Sequence, residues 1–179
     1  MKILAIAASN NKNSINKKLL NYTASLLKDT NPEHQIEVLD LIDYELPLYR
    51  QDREQNDGIP KAAIDFYKKI GQSDYVIISF AEHNGSFTAV YKNLFDWMSR
   101  IDQKVYQDKP VILMAASPGP RGGAGVLSAA EMGAPFFGMN VKAKISVPRF
   151  QDNFDFDTQQ MTHQEIKQHI LDAITPLQQ

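Results

Sequence analysis

The 179-residue chain contains no cysteine, which excludes disulfides, thiolate catalysis and cysteine–metal sites. It also lacks an excess of either charge, because 19 Lys and Arg face 21 Asp and Glu, so no global field attracts nucleic acid or an anionic membrane. It has neither an apolar run long enough to span a bilayer nor a charged-then-apolar leader. These absences predict a cytoplasmic protein without a metal site, a nucleic-acid partner or a membrane partner, and the length predicts one domain, residues 1–179.

Strand-like and helix-like segments alternate along the chain. The predicted strands are Lys2–Ala8, Gln35–Leu41, Tyr75–Phe80, Val111–Ala116 and Val141–Val147. The predicted helices are Ser14–Lys28, Ile59–Ile70, Phe87–Arg100, Ala124–Phe136 and Thr162–Thr175. Five such units predict an α/β fold, a flavodoxin-like three-layer sandwich whose five-stranded parallel sheet has the order 2-1-3-4-5. The polar, aperiodic segment Glu45–Gly58 is predicted to be an exposed loop.

The loop Ser9–Asn16 follows the first predicted strand and opens the first predicted helix. Such a junction directs unpaired backbone N–H groups and the positive end of the helix dipole at an anion. Small polar side chains that can bond phosphate oxygens recur in it, at Ser9, Asn11, Ser14 and Asn16. The loop has no glycine, which counts against a dinucleotide turn and a Walker-type loop. We therefore expect a mononucleotide phosphate site, with an ordinary N-cap cluster as the alternative.

Two further loops follow the third and fourth predicted strands. The loop after the third strand, here called the second loop, contains Glu82-His83-Asn84-Gly85. The loop after the fourth strand, the third loop, is Ser117–Gly125 and holds four of the nine glycines. In the expected sheet order, ligands bind beyond the carboxyl ends of the strands, near the point where strand order reverses. One loop can therefore hold a phosphate while the other two bracket a ring system.

The chain resembles the NAD(P)H-dependent FMN reductases, a flavodoxin-like family that includes quinone, azo-dye and chromate reductases. That family shows G-S-x-R-x-x-S-x-N in the first loop, P-E-Y-N-G/H-S in the second and K-N-x-x-D-W on the helix behind the second, and it has a glycine-rich third loop. The corresponding segments here are Ala8–Asn16, Ala81–Ser86 and Lys92–Trp97. The resemblance implies FMN as cofactor, NADPH or NADH as co-substrate, and hydride transfer through the flavin to a small acceptor such as a quinone, flavin, azo compound or chromate. It also implies a homodimer or a dimer of dimers.

The resemblance also implies a set of cofactor-binding residues. Those expected at the FMN phosphate are Ser9, Asn11, Ser14, Ile15 and Asn16. Those expected along the isoalloxazine are Glu82, His83, Asn84 and Gly85, and those closing over its pyrimidine side are Ser117, Gly119, Gly122 and Gly123. The chain departs from the family pattern at functional positions, because Asn11 replaces an arginine, His83 replaces a tyrosine and Ala81 replaces a proline. Lys12 could supply the missing charge, and His83 is the one candidate for acid–base catalysis.

Other interpretations remain open at this level. The protein could be a flavodoxin-type electron carrier that binds FMN without reacting with NAD(P)H, or a relative that has lost flavin. Phe87, Phe95 and Trp97 suit the core or a subunit interface more than a stack against a cofactor. We expect Phe150–Phe156 to be an exposed loop that touches the pocket or a partner subunit. The surface histidines are expected to be His34, His163 and His169.

Overall fold

A five-stranded parallel sheet organises the chain, of which a computed structural model describes residues 1–177. Its strands are β1 (Lys2–Ala8), β2 (Gln35–Asp40), β3 (Tyr75–Phe80), β4 (Lys109–Ala116) and β5 (Met139–Val147). They lie in the order β2-β1-β3-β4-β5, and all four pairings are parallel. The predicted fold class and strand order are confirmed.

Among residues 1–177, seven α-helices connect or flank these strands. They are α1 (Ile15–Thr30), α2 (Gln51–Asp57), α3 (Lys61–Gln72), α4 (Ala89–Met98), α5 (Ala124–Gly133), α6 (Phe150–Asn153) and α7 (Gln164–Ile174). Helices α1 and α7 pack on one face of the sheet, and α3, α4 and α5 pack on the other. No helix within residues 1–177 combines the length and apolar character needed to cross a membrane.

The central strands are apolar on both sides because both faces of the sheet are covered. In β1, alternate residues point to opposite faces, so Ile3 packs with α1 and α7 while Leu4 packs with the other helix layer. Residues 3–8 are all at most 2% exposed. This double burial explains why the strands appear in the sequence as continuous apolar runs rather than as alternating ones.

The prediction that Glu45–Gly58 is an exposed loop is wrong in part. Gln51–Asp57 forms α2, which ends at Gly58 with φ +76°. None of its side chains is buried, so the sequence shows no apolar periodicity there. Leu46 and Tyr49 pack against the core on the α4 side of the sheet.

The segment Phe150–Phe156 is also not an exposed loop. Phe150 and Phe154 are 0% and 3% exposed, and their rings stack at 4.7 Å. His34, expected at the surface, is 3% exposed and its Nε2 is hydrogen-bonded to the Leu177 carbonyl. Both errors concern parts of the chain outside the regular βα pattern, where contacts with distant residues decide burial: Phe154 packs against Tyr22 of α1, and His34 is bonded to Leu177.

Candidate active site

The three predicted loops meet at the carboxyl edge of the sheet. Ala8 at the end of β1 pairs with Phe80 of β3, and Phe80 pairs with Ala115 of β4. The loops that begin at Ser9, Ala81 and Ser117 therefore leave three neighbouring strands at the same level. The register brings them together as the sequence predicts.

The serine hydroxyl groups of the first loop accept hydrogen bonds from nearby backbone N–H groups, so each can still donate its proton to a ligand. The Ser9 hydroxyl accepts a bond from the Asn11 N–H at 3.2 Å. Ser14 is the N-cap of α1, and its hydroxyl accepts from the Lys17 N–H at 3.2 Å. A hydroxyl that accepts one bond still carries a proton to donate. The N–H groups of Ile15 and Asn16 occupy helix positions that have no intrahelical acceptor.

The charges around this loop favour an anion. The first turn of α1 contains no acidic residue. Lys17 pairs with Asp40 at 2.7 Å, and Lys18 lies over the Phe156 ring at 5.6 Å from its centroid. Lys12 is exposed in the turn that precedes the helix. Asn11, where the family has arginine, is exposed, and its side-chain oxygen accepts from the Asn13 N–H at 2.9 Å.

Asn16 has a different position from the other polar residues of the loop. It is 2% exposed, and its Oδ1 accepts from the Ala116 N–H at 2.8 Å and from the Ser79 hydroxyl at 3.0 Å. Its Nδ2 donates to the Ala116 carbonyl at 3.0 Å. The Asn16 side chain therefore joins the start of α1 to the ends of β3 and β4, where all three loops begin.

The second loop is a two-residue β-hairpin, which was not predicted. Glu82–His83 pairs with Ser86–Phe87, and the turn residues Asn84 and Gly85 have φ +53° and +77°. Positive φ at both turn positions is typical of a type I′ turn, for which Asn-Gly is a strong sequence signal. Helix α4 therefore begins at Ala89, later than predicted, with Thr88 as its N-cap. The turn residues are exposed.

The third loop is pressed closely against the ends of β4 and β5. Gly122 and Gly123 have φ +56° and +76°. A Cβ at Gly123 would come within 2.6 Å of the Ala115 Cβ. The Gly122 carbonyl accepts from the Ser146 hydroxyl at 3.0 Å, a contact that sequence reasoning missed. Larger residues at these two positions would lift the loop away from the sheet.

Ser117 and Gly119 form the other half of this loop. The Ser117 hydroxyl donates to the Gly119 carbonyl at 3.1 Å, and the same carbonyl accepts from the Arg149 N–H at 3.0 Å. The Ser117 carbonyl accepts from the Phe150 N–H at 3.0 Å. The buried segment around Phe150 therefore supports the loop from behind.

The K-N-x-x-D-W motif on α4 anchors the segment that precedes α2. Asn93 accepts from the Tyr49 N–H at 2.9 Å and donates to the Leu46 and Pro47 carbonyls at 3.2 Å. The Trp97 Nε1 donates to the Pro47 carbonyl at 2.8 Å, and the Trp97 side chain is fully buried. Trp97 is thus a core residue, one of the two alternatives considered above.

The ionisable groups of the three loops are few. His83 is exposed on the hairpin. Glu82 faces Arg121, whose Nη2 lies 3.8 Å from the Glu82 Oε1. Within residues 1–177, no group of three His, Asp or Glu side chains is placed to hold a metal ion. The arrangement suits the binding of an organic cofactor more than acid–base catalysis by the protein itself.

Comparisons with known proteins assign the chain to a family. A family model described as NADPH-dependent FMN reductase matches residues 1–152. An NAD(P)H:quinone oxidoreductase from Solanum tuberosum is 30% identical over 181 residues, covering 99% of this chain and 91% of the relative.

Solved structures share the fold. The flavoenzyme NAD(P)H:(acceptor) oxidoreductase FerB from Paracoccus denitrificans has a TM-score of 0.75 at 21% identity, covering 99% of this chain and 94% of that one. An azoreductase from Bacillus anthracis has a TM-score of 0.71 at 19% identity, covering 99% of both chains. The family match favours a reductase over an electron carrier. The chain belongs to the NADPH-dependent FMN reductase family and is an NAD(P)H-dependent flavin oxidoreductase that uses FMN.

Proposed function

We propose that this protein passes reducing equivalents from NADPH or NADH, through FMN held by its three loops, to a small acceptor, with a quinone as the best-supported class. The observation that carries the proposal is the convergence of these loops at one edge of the sheet in a chain of the FMN reductase family. Quinone oxidoreductases among the relatives support the choice of acceptor. Azo compounds, chromate and free flavin are further candidates for the same pocket.

The residues of the first loop fit the phosphate of FMN. We assign phosphate contacts to the hydroxyls of Ser9 and Ser14, to the N–H groups of Ile15 and Asn16, and to the exposed Asn11 side chain. The Asn16 amide is engaged with β3 and β4, so it contributes by positioning the loop. Exposed Lys12 supplies positive charge in place of the family's arginine, as a point charge rather than as a bidentate donor.

The other two loops fit the ring. The exposed turn of the hairpin, with His83, Asn84 and Gly85, lines one edge of the isoalloxazine, and backbone N–H groups act as donors. Four residues of the third loop are assigned to the pyrimidine side: Ser117, Gly119, Gly122 and Gly123. A Cβ at Gly85 would point into open space, so glycine there lets main-chain atoms approach a flat ligand, whereas Gly122 and Gly123 let the third loop pack closely on β4 and β5.

The chemistry divides between cofactor and protein. FMN held by the three loops would supply the redox chemistry, hydride transfer from the nicotinamide and reduction of the acceptor. The loops orient the ring and provide hydrogen-bond donors where negative charge develops. His83, exposed beside the ring position, is the candidate for moving a proton to or from the acceptor. We propose that residues 1–179 act as one flavin-binding domain in the cytoplasm.

Steady-state assays test the choice of acceptor. Oxidation of NADPH should depend on added FMN and should accelerate when a benzoquinone is supplied under anaerobic conditions. Parallel reactions with an azo dye, chromate and free flavin rank the alternatives. Failure of every acceptor to raise the rate above the acceptor-free control would contradict the proposed substrate class.

We further propose that the protein is a homodimer that buries an apolar groove between α4 and α5. The groove has a volume of about 270 Å³ and is lined mainly by Phe87, Tyr91, Phe95, Ala130, Phe137 and Met139. Met132 near the C-terminal end of α5 and Phe136 just after it are 74% and 65% exposed. An apolar groove along a helix that also exposes apolar side chains suits a two-fold interface, in which each copy presents the same elements.

Met132→Asp is therefore expected to convert the dimer into monomers, because it places a charge in the buried part of the interface. Light scattering after size-exclusion chromatography measures the mass. Val38→Asp, on the distant edge strand β2 where Val38 is 40% exposed, is the control and should remain dimeric. A monomeric wild type, or a dimeric Met132→Asp variant, would contradict this interface.

A further inference from the structure

The Glu82 side chain contacts α5. Its Oε2 accepts a hydrogen bond from the Val126 N–H at 2.8 Å, and the side chain is only 12% exposed. Val126 lies in the first turn of α5, where backbone N–H groups have no intrahelical acceptor. A carboxylate at this position satisfies an orphan donor and also interacts favourably with the helix dipole.

Helix α5 needs this contact because it has no side-chain cap of its own. Its N-cap is Gly123, which offers no side-chain acceptor. Glu82, which lies 44 residues away from Val126 in the sequence, takes the place of the cap. The hairpin after β3 and the glycine-rich loop before α5 are thus joined by a charged hydrogen bond.

Gly125 shows how closely the two loops fit. A Cβ at this position would lie 2.8 Å from the Glu82 Oε2 and 2.8 Å from the Gly85 carbonyl oxygen. The first is a side-chain atom, but the second belongs to the backbone of the turn that faces the ring position. The hairpin therefore rests directly on the first turn of α5, and any side chain at Gly125 would displace it.

We propose that Glu82 is a positioning residue that locks the hairpin onto α5, so that the two loops bracketing the flavin ring form a single preorganised unit. The expected effect on FMN affinity rests on the proposed function, since preorganisation of the ring site lowers the free-energy cost of binding FMN. The lock itself is a property of the protein without FMN. Arg121, 3.8 Å from the second carboxylate oxygen, balances part of the charge from the solvent side.

Hydrogen exchange of the FMN-free protein tests the lock directly. Glu82→Ala should raise the exchange rate of the amides in residues 82–87 by about tenfold, as expected for the loss of a charge-assisted hydrogen bond. Glu82→Gln keeps an acceptor without the charge and should recover much of the protection. Glu131→Ala, which removes an exposed carboxylate from the same helix, is the control and should leave the hairpin unchanged.

The consequence for the cofactor is measured by titration of FMN fluorescence. Glu82→Ala should weaken FMN binding by about tenfold, Glu82→Gln by less, and Glu131→Ala not at all. Gly125→Ala, which favours helix but collides with the turn, should also raise hairpin exchange and weaken FMN binding. Unchanged hairpin exchange in both Glu82→Ala and Gly125→Ala would overturn the lock, whereas a wild type that binds no FMN would overturn the proposed function instead.

Discussion

Ser14→Asp is expected to abolish useful FMN binding while leaving the FMN-free protein as stable as the wild type. Aspartate is as good an N-cap as serine and interacts favourably with the helix dipole, so α1 should keep its start. The new carboxylate would face the dianionic phosphate in the proposed site. Two like charges 4 Å apart repel by about 4 kcal/mol at an effective dielectric of about 20, so the dissociation constant should rise by at least about 100-fold.

Ser14→Asn is the matched variant, because asparagine also caps helices but carries no charge. It should bind FMN within about tenfold of the wild type, since one hydroxyl donor is exchanged for an amide donor. Fluorescence titration gives the affinities, and thermal unfolding of the FMN-free proteins gives the stabilities. If Ser14→Asp bound FMN as the wild type does, the phosphate would have to lie elsewhere.

Asn16→Ala is expected to cause a large loss of stability. It removes three buried hydrogen bonds and leaves the Ser79 hydroxyl and the Ala116 backbone groups without their partner. At about 1 kcal/mol for each bond, the free energy of unfolding should fall by about 3 kcal/mol. For a domain of this size, that corresponds to a decrease in Tm of about 6–12 °C.

Asn21→Ala provides the control for this change. Asn21 is exposed on the same helix, so its replacement tests only helix propensity and should be neutral or slightly stabilising. Urea denaturation monitored by circular dichroism yields both free energies. Equal stabilities of the two variants would show that the Asn16 cross-link does not hold the three loop origins together.

The strand order and the convergence of the loops could be predicted from the sequence because both follow from local periodicity. Runs such as Val76–Ile78 mark buried parallel strands, and right-handed crossovers then restrict the order of the sheet. The polar loop Ser9–Asn16 lies at a junction between a strand and a helix both in the prediction and in the structure. These features depend on neighbours in the chain rather than on distant contacts.

The errors arose where distant contacts decide the structure. Leu46 and Tyr49 pack on the core because Asn93 and Trp97 bind the backbone between them, and no local pattern reveals this. The Asn84-Gly85 hairpin is different, since the sequence itself contains a dipeptide typical of type I′ turns.

Within the site, the sequence indicated which residues lie close together but not which of their polar atoms are free to bind a ligand. Asn16 and Glu82 both belong to the matched motifs, yet their side-chain polar atoms bond to β4 and α5. A motif specifies residue types and their order. The hydrogen-bond partner of each side chain, in contrast, depends on which distant strands and helices lie beside it. The sequence therefore could not separate ligand-binding side chains from those that position the loops.

The central claim is that this chain binds FMN and lets NAD(P)H reduce it. The most direct test is the visible absorption spectrum of the purified protein, mixed with FMN, freed of unbound flavin and then treated anaerobically with NADPH and, separately, NADH. We expect retained flavin bands that bleach with at least one of the two nucleotides, and the faster reaction identifies the preferred donor. Retained flavin that stays oxidised with both nucleotides, or no retained flavin at high FMN concentration, would contradict the claim.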